Sequence, residues 1–294
     1  MPIDDYFYKS YFTSERYIRR LDVAVYGIRD GKQISYANFG NIQIPLPPLH
    51  EQQAIAEILV VQDRLIETQV RLINTKKQQK LWFMQKLFAG LIRLPGFNES
   101  WERTKFSTLF EKHTDFTDDL ETYPLFSLTV ENGVTEKSER YERSHLVLKD
   151  NAYKIVRPNN FVYNPMNVIL GAVARYKGTC DIAVSGYYDI ISAVHESDNG
   201  FFDSFLTSSV MQRQYDKVST GSLVEKQRVH LSQFMNFNLH LPLVEERGAI
   251  SAVLATADRE IELLTQELEQ QKLFKKHLMQ QLLTGKKRVK GAVQ

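Results

Sequence analysis

An internal repeat limits the fold of this chain more than any other sequence feature. Residues 50–90 align without a gap on residues 245–285 when the sequence is shifted by 195 positions, and 14 of the 41 aligned positions are identical. The identical pairs include Glu51/Glu246, Ile55/Ile250, Leu59/Leu254, Asp63/Asp258, Arg64/Arg259, Ile66/Ile261, Glu67/Glu262, Met84/Met279, Leu87/Leu282 and Gly90/Gly285. A fixed long period indicates two equivalent structural units within one chain.

Each copy of the repeat has the hydrophobic spacing of one long helix. Apolar residues recur at alternating intervals of three and four positions from Ile250 to Leu282, and the first copy keeps the same register from Ile55 to Leu87. This spacing forms a seam along one helix face, and about 40 residues make a rod of roughly 60 Å. Because such a rod cannot bury its seam alone, we expect the two copies to pack on each other. The alternative is that each helix lies on its own domain.

The repeat extends in front of both helices. Phe201–Gln214 resembles Tyr6–Arg20, and Val229–Leu241 matches Ile34–Leu46. Residues 1–46 are therefore interpreted as the C-terminal remnant of a domain whose complete version spans about Leu94–Leu241. The predicted order is a remnant domain (1–46), a long helix (47–92), a complete mixed α/β domain (93–243), a second long helix (244–285) and a basic tail (286–294). The predicted fold class is α+β.

Local signals predict individual elements. Tyr6–Arg20 is predicted to be helical, and the alternating apolar residues of Ile34–Leu46 predict a strand that ends at the following prolines. Gly90 is a candidate left-handed cap for the first long helix. Further predictions are a loop at Gly27–Gly31, strands at Asp150–Phe161, Asn167–Tyr176 and Asp181–His195, a helix at Asp203–Tyr215, and a glycine loop at Ser219–Ser222.

Composition excludes several classes of protein. No apolar run approaches the roughly 18 residues that a membrane span requires, and Asp4, Asp5 and Lys9 interrupt any resemblance to a signal peptide. Cys180 is the only cysteine, which excludes a disulfide framework and fits a reducing cytoplasm. The net charge of +2 does not by itself indicate a partner.

No catalytic motif accounts for the sequence. The seven histidines are scattered without metal-ligand spacing, and no glycine-rich phosphate loop is present. The nearest match is Tyr163-Asn164-Pro165-Met166, which is similar to the Asn/Asp-Pro-Pro-aromatic loop of adenine methyltransferases. The second proline and the aromatic residue of that loop are replaced here by Met166 and Asn167. We therefore expect no catalytic residue, no metal site and no cofactor in this chain.

A binding function fits the sequence better, but its surface must be local. Residues 99–136 carry nine acidic and three basic residues, and residues 137–230 carry ten acidic and twelve basic residues. Lysine and arginine reach phosphates or guanine edges, and small residues let backbone amides approach phosphates. The candidate DNA-binding residues are Arg140, Arg143, Arg175, Lys177, Ser219, Thr220, Gly221, Ser222, Lys226 and Arg228. For any one of these lysine or arginine residues, the alternative is a solvated surface charge. We expect Tyr163, Tyr187 and Tyr188 to lie in the core rather than to stack on nucleobases.

Several motifs resemble those of type I restriction-modification specificity subunits. The junction Ile44-Pro-Leu-Pro-Pro-Leu-His-Glu-Gln-Gln-Ala-Ile-Ala leads into the first long helix, and Leu241-Pro-Leu-Val-Glu-Glu-Arg-Gly-Ala-Ile leads into the second. Phe161-Val-Tyr-Asn-Pro-Met, Gly171 and Ser185-Gly-Tyr-Tyr also match the family pattern. The resemblance covers nearly the whole chain.

This resemblance implies a fold and a set of partners. Two target-recognition domains would each read half of a split site in double-stranded DNA, and two long helices would form an antiparallel coiled coil that sets their distance. Modification subunits holding S-adenosylmethionine and restriction subunits using ATP and Mg would dock on this bacterial cytoplasmic subunit. The assembled complex would be an adenine-specific DNA methyltransferase and an ATP-dependent endonuclease, whereas the specificity subunit itself would catalyse nothing.

The sequence departs from the family pattern in three places. The front of the first recognition domain is not represented, which predicts a truncated or recombined form or a half-subunit that dimerises. Arg247 and Gly248 replace Gln52 and Gln53 of the first junction, and Gly186 follows Ser185 where a proline is common. The alternative function is that of a coiled-coil scaffold with a protein-binding head, which differs only in what the head binds.

Overall fold

The fold is that of a computed structural model, which describes residues 2–25, 33–136, 152–220 and 227–289. The chain divides into two compact units, one of residues 1–78 with 259–294 and one of residues 79–258, here called unit 1 and unit 2. Both units contain a part of each long helix. The mixture of long helices with short antiparallel strands confirms the α+β class. No helix within the described ranges is long and apolar enough to cross a membrane.

Three short helices lie in unit 1 beside the two long ones. They are α1 (Asp5–Phe12), α2 (Glu15–Ala24) and α3 (Tyr36–Gly40), and the long helices are α4 (Leu49–Phe88) and α8 (Val244–Leu282). Asp4, Ser14 and Ser35 cap the three short helices with side-chain oxygens that accept backbone N–H groups. The cap at Ser14 also explains why the helix predicted over Tyr6–Arg20 is divided in two, since a capping residue starts a new helix.

The core of unit 1 joins the first two short helices to the long ones. The buried residues are Phe7, Tyr8, Tyr11, Tyr17, Ile55, Ala56, Leu59 and Leu283. Six of these eight residues lie in α1 and α4, where they recur three or four positions apart, as on the apolar stripe of a helix. The aromatic rings of α1 and α2 contact one another, with the Tyr11 and Tyr17 centroids 5.5 Å apart.

The strand predicted at Ile34–Leu46 is wrong. Residues 36–40 form α3, and the residues that follow are extended without a strand partner in the part of the chain that the structure describes. Pro45 contributes to this outcome because it has no N–H to donate to a ladder. The matching segment of unit 2 has a helix at Leu231–Met235, displaced by the same 195 positions, and then a true strand at Asn238–Leu241.

The ends of the long helices follow their sequence signals. At the start of α4, the Pro48 carbonyl accepts the N–H groups of Glu51 and Gln52 at 3.0 Å. Beyond their C-terminal ends, Gly90 has φ +65° and Gly285 has φ +72°, so the left-handed cap predicted at Gly90 is confirmed and recurs in the second copy. A Cβ on Gly90 would lie 3.3 Å from the Trp101 ring, which is a second reason why this position favours glycine.

The two long helices contact each other with opposite polarity. In unit 1 the Gln69 amide donates to the Leu264 carbonyl at 3.1 Å, while the Gln62 amide donates to the Gln271 carbonyl at 3.3 Å. Chain numbers therefore rise along one helix as they fall along the other. In unit 2 the end of α4 and the start of α8 share one core, through Leu87, Phe88, Ile250 and Leu254. Coiled-coil packing of the two helices stays a prediction.

The same ion pairs occur once in each unit, 195 positions apart. Lys80 pairs with Asp258 in unit 2, and Lys275 pairs with Asp63 in unit 1. At the helix ends, Arg93 forms a bidentate pair with Glu246 at 2.6 Å, and Arg288 forms one with Glu51 at 2.7 and 3.0 Å. Because bidentate pairs fix geometry as well as charge, each unit holds its two helix ends in the same arrangement.

Besides its parts of α4 and α8, unit 2 contains small antiparallel sheets and three short helices in its described residues. The strands are β1 (Glu102–Lys105), β2 (Phe110–His113), β3 (Phe116–Thr117), β4 (Phe126–Thr129), β5 (Gly133–Glu136), β6 (Tyr153–Val156), β7 (Phe161–Tyr163), β8 (Val173–Arg175), β9 (Ile182–Ser185), β10 (Asp189–Ala193) and β11 (Asn238–Leu241). They pair in the orders β1-β11, β2-β10-β7-β8, β3-β6-β9 and β4-β5. The helices are α5 (Asn199–Phe205), α6 (Ser209–Val218) and α7 (Leu231–Met235).

The elements predicted in this domain exist but are shorter than expected. The strand predicted at Asp150–Phe161 divides into β6 and β7 around Asn159, which has a positive φ of 69°. The first half of Asn167–Tyr176 is a 3-10 turn ending at Gly171 rather than strand. Asp181–His195 turns back at Gly186, and Asp203–Tyr215 divides at the capping residue Ser208. Each break follows a turn or capping residue inside an apolar pattern.

A cluster of aromatic rings forms the main core of unit 2. Phe106 contacts Phe110 and Phe234, and Phe234 contacts Tyr163, with ring centroids 5.1 to 5.6 Å apart. Each of these rings is almost fully buried. Rings at these distances and tilted angles favour a single packing arrangement. The core therefore gives a rigid support to the loops that leave it.

Arg247 and Gln52 have equivalent roles in the two units, although the residues differ. In unit 2, Arg247 forms a buried bidentate pair with Asp198 at 2.8 Å and donates to the Pro242 carbonyl at 3.4 Å. In unit 1, the Gln52 amide donates to the Pro47 carbonyl and accepts the N–H of Asp4, both at 2.8 Å. Arg247 therefore connects the start of α8 to Asp198, which precedes α5. Gln52 connects the start of α4 to Asp4, which precedes α1.

Candidate nucleic-acid interface

A hydrogen-bonded stem lies between α6 and α7. Thr220 and Arg228 exchange both backbone hydrogen bonds at 2.9 Å. Next along the stem, the Val229 N–H donates to the Pro165 carbonyl at 3.0 Å, and the buried Tyr163 hydroxyl donates to the Val229 carbonyl at 2.9 Å. These bonds fix one side of the stem to β7 and to the turn that follows it.

Gln233 fixes the other side of the same stem. Its side-chain amide donates to the Val218 carbonyl at 2.7 Å, at the end of α6. Its side-chain oxygen accepts the His230 N–H, also at 2.7 Å. One side chain on α7 therefore joins the residues that precede the loop to those that follow it, and the exposed residues at the stem are held on a fixed backbone.

Burial keeps two tyrosine hydroxyl groups of unit 2 in the neutral form, and only that of Tyr163 contacts the stem. The environment of Tyr163, chiefly its removal from water, raises the pKa of that hydroxyl well above its usual range. Burial likewise raises the pKa of Tyr215, whose hydroxyl donates to the Leu206 carbonyl at 3.0 Å. Because a phenol with a raised pKa keeps its proton, both groups can act as hydrogen-bond donors.

Three exposed basic residues lie on or beside the stem. Arg213 and Lys217 are four positions apart on α6, and Arg228 is part of the stem itself. Within the described ranges, none of the three forms a salt bridge with a carboxylate. Residues four apart on a helix share one face. The set formed by Arg213, Lys217 and the stem residues Ser219, Thr220 and Arg228 is named the stem surface.

Arg175 and Lys177 lie apart from the stem surface. Arg175 pairs across the sheet with Phe161, at the opposite end of β7 from the Tyr163–Pro165 segment that holds the stem. Its guanidinium donates to the Asn159 side chain at 2.7 Å and lies 3.5 Å from Asp203, which also pairs with Lys177 at 2.7 Å. The structure therefore separates these two candidate residues from Ser219, Thr220 and Arg228, and it partly neutralises their charge.

The structure does not describe the remaining sequence-based candidates. Arg140, Arg143, Gly221, Ser222 and Lys226 lie outside the described residues, as does the predicted loop at Gly27–Gly31.

The expectation that three tyrosines lie in the core is confirmed for two of them. Tyr163 is fully buried, and the partly buried Tyr188 packs against the smaller core of unit 2. For Tyr187 the expectation is wrong, because its side chain is 84% exposed. It lies in the tight turn between β9 and β10, which the Tyr188 N–H closes by donating to the Ser185 carbonyl at 3.0 Å.

Sequence reasoning missed the residues that support the site. Tyr163-Asn164-Pro165-Met166 was considered as an incomplete methyltransferase motif and as part of a family motif, and neither interpretation indicated that it holds the loop stem. Arg213 and Lys217 were also missed, although their spacing on a helix that ends at the candidate loop was a usable signal. No cluster of His, Cys, Asp and Glu that could hold a metal ion occurs in the part of the chain that the structure describes.

The fold as a whole is that of solved specificity subunits. A crystal structure of the type I restriction-modification S subunit from M. genitalium matches 95% of this chain and 72% of its own, with a TM-score of 0.54 and 15% identity. The HsdS subunit from Thermoanaerobacter tengcongensis matches 95% and 70%, with a TM-score of 0.54 and 16% identity. A chain from a structure describing complex assembly and conformational transition of the type I R-M system matches with a TM-score of 0.61. At this level of identity the likeness concerns the fold.

Sequence comparisons find similarity to the same class of protein. Residues 8–80 match the model of the type I restriction modification DNA specificity domain. The specificity subunit of the type I restriction enzyme MjaVIII from Methanocaldococcus jannaschii is 28% identical over 86% of this chain, and that of the putative enzyme MjaX is 28% identical over 87%. The resemblance inferred from the sequence is therefore confirmed: this chain is similar to type I restriction-modification specificity subunits. It spans 64% and 62% of the lengths of those two relatives.

Proposed function

We propose that this chain recognises a DNA sequence for a type I restriction-modification complex and catalyses no reaction itself. Its complete recognition domain is assigned to residues 93–243, with residues 1–46 as part of a second such domain. Residues 47–92 and 244–285 then act as the helical spacer, followed by the basic tail at 286–294. The family comparison supports the class of function, and the stem surface supports its location in the domain.

The stem surface carries the proposal because it combines a rigid backbone with available charge. Arg213, Lys217 and Arg228 can contact phosphates, and arginine can also bind the edge of guanine with two hydrogen bonds. The loop that begins at this stem contains Lys226, another candidate from the sequence. Contacts to phosphates set affinity and its dependence on salt, whereas contacts to base edges set specificity.

The long helices are proposed as the docking platform for the modification and restriction subunits. In unit 1 they expose large apolar side chains such as Leu65, Leu263 and Phe274, and in unit 2 they expose Trp82 and Phe83. A partner that covers such residues gains apolar contact area. S-adenosylmethionine, ATP and Mg are assigned to these partner subunits, and the assembled complex is proposed to methylate adenine and cleave DNA in the bacterial cytoplasm.

The assignment of the DNA surface is tested by removing its charges. We expect the variant with Lys226→Ala and Arg228→Ala to weaken DNA binding by the assembled complex, because two phosphate or base contacts are lost. The slope of the logarithm of affinity against the logarithm of salt concentration should fall by about 1 for each phosphate contact removed. Gel-shift titrations over a series of salt concentrations measure both quantities.

A matched control compares one charge of the stem surface with one charge of the Arg175–Lys177 site. Arg228→Ala and Lys177→Ala each remove one exposed positive charge, but Lys177 is already paired with Asp203. We expect Arg228→Ala to reduce the salt dependence and Lys177→Ala to leave it nearly unchanged. The reverse result would move the DNA surface to the Arg175–Lys177 site, and no change in either variant would count against both locations.

A further inference from the structure

The turn between β7 and β8 is held in one conformation by its own hydrogen bonds. The Asn164 carbonyl accepts the N–H groups of Asn167 and Val168 at 3.2 and 2.9 Å, and the Asn164 side chain accepts the Met166 N–H at 3.0 Å. The Asn164 N–H donates to the Ala172 carbonyl at 3.0 Å, which closes the turn. At its end, Gly171 adopts a left-handed φ of 95°. The turn is therefore rigid before any partner binds.

This rigid turn exposes large apolar side chains. Val168 is fully buried and anchors the turn, whereas Leu170 is 66% exposed and Met166 is also exposed. The exposed Val130 of the β4–β5 hairpin lies beside Gly171, which follows Leu170, since its Cγ1 atom would be 3.9 Å from a Cβ on Gly171. These three side chains, Val130, Met166 and Leu170, are named the apolar ridge.

The apolar ridge is adjacent to the basic stem surface. The turn contacts α6, which carries Arg213 and Lys217. The Pro165 carbonyl, next to Met166, accepts the Val229 N–H beside Arg228. The turn that carries the exposed Met166 and Leu170 therefore contacts both elements that carry the charges proposed to hold DNA phosphates. The only apolar groups that base pairs present in the major groove are the C5-methyl groups of thymine.

We propose that the apolar ridge, with Leu170 at its centre, contributes to sequence specificity by contacting thymine methyl groups in the major groove. The proposal rests on the proposed function and adds a class of base contact to it. The basic residues set the orientation on the DNA backbone, and the ridge then favours sites with thymine at the position it meets. Burying one methyl group changes affinity by roughly fourfold.

The test compares thymine with uracil, which pairs with the same base but lacks the methyl group. The target site is first located by mapping adenine methylation by the assembled complex, and any such site contains thymine opposite adenine. Each thymine is then replaced by deoxyuridine, and binding by the assembled complex is measured. We expect an affinity loss of about three- to fivefold at one or two positions for the unmodified chain. The Leu170→Ala complex should bind the thymine and uracil forms equally at those positions.

The control is Leu91→Ala, which truncates the same type of side chain at a site with 68% exposure beyond the end of α4. This variant should keep the difference between thymine and uracil. The inference is overturned if Leu170→Ala keeps that difference, if no thymine position responds to uracil, or if Leu170→Ala weakens assembly with the modification subunit but not discrimination. Specific binding without any response to uracil leaves the proposed function intact, whereas a complex without sequence preference contradicts that function itself.

Discussion

At the scale of single residues, one buried hydroxyl connects the core of unit 2 to the proposed DNA surface. The Tyr163 hydroxyl is the side-chain donor to the Val229 carbonyl, and Val229 follows Arg228 directly. We expect Tyr163→Phe to lower the free energy of unfolding by about 1–3 kcal/mol, because a buried carbonyl loses its donor. It should also weaken DNA binding, because the stem that carries Arg228 is less firmly held. Chemical denaturation and gel-shift titration measure the two effects.

Tyr215→Phe is the matched control for that change. Its hydroxyl is equally buried and donates to a backbone carbonyl at 3.0 Å, but that carbonyl belongs to Leu206, away from the loop stem. We expect a similar loss of stability with DNA binding retained. If both variants lose DNA binding in proportion to their loss of stability, Tyr163 has only a general structural role.

Residue types in the site could be predicted from the sequence, but their partners could not. The spacing of Lys226 and Arg228 in a glycine-bearing loop is a local feature and was visible. The Tyr163–Val229 hydrogen bond joins residues 66 positions apart. The ion pairs of Arg175 and Lys177 both involve Asp203, which lies on a different element, α5. Tyr187 was misplaced because aromatic residues beside apolar strands are usually buried, whereas a tight turn directs this side chain outward.

At the scale of elements, the pair between Glu51 and Arg288 makes the helix junction of unit 1 sensitive to acid. The bidentate bond from Arg288 holds the pKa of the Glu51 carboxyl below its ordinary value of 4.5. A carboxyl with a depressed pKa stabilises the folded state above its unfolded pKa and loses that contribution as pH falls through the folded pKa. We therefore expect Glu51→Gln to lower the thermal midpoint at pH 7 and to converge with the unmodified protein below about pH 4.5.

The control for this prediction lies on the same helix. Glu67 pairs with Arg71 one turn away, and both side chains are mostly exposed, so Glu67→Gln should change the midpoint little at any pH. Thermal unfolding of all three proteins between pH 3 and pH 7, the range set around the ordinary carboxyl pKa, measures the effect. A constant difference between Glu51→Gln and the unmodified protein across this range would contradict the assigned role of the ion pair.

Helices were predicted more accurately than strands for a physical reason. The seam of each long helix is a local pattern that repeats over many turns, and the glycine caps mark its ends. The strands of unit 2 are two to five residues long and pair with distant partners, such as β1 with β11. A short apolar run cannot show where its partner lies. The false strand at Ile34–Leu46 has the same origin, since its alternation matches a strand but no described strand pairs with it.

At the scale of the whole molecule, the repeat predicted that equivalent elements would occur in both units, and they do. The helices Tyr36–Gly40 and Leu231–Met235 are displaced by the same 195 positions as the long helices. What the repeat could not show is how differently equivalent residues are packed. Phe234 is fully buried against Phe106 and Phe110, whereas its counterpart Phe39 is exposed.

The central claim is that this chain directs a modification enzyme to a DNA sequence. The most direct measurement is to produce the chain together with a type I modification subunit and map methylated adenines in the DNA of the same cells. We expect methylation at every occurrence of one defined sequence, absent when the chain is omitted and reduced by Arg228→Ala. A stable complex that methylates no adenine, or adenines without a shared flanking sequence, would contradict the claim and favour a protein-binding scaffold.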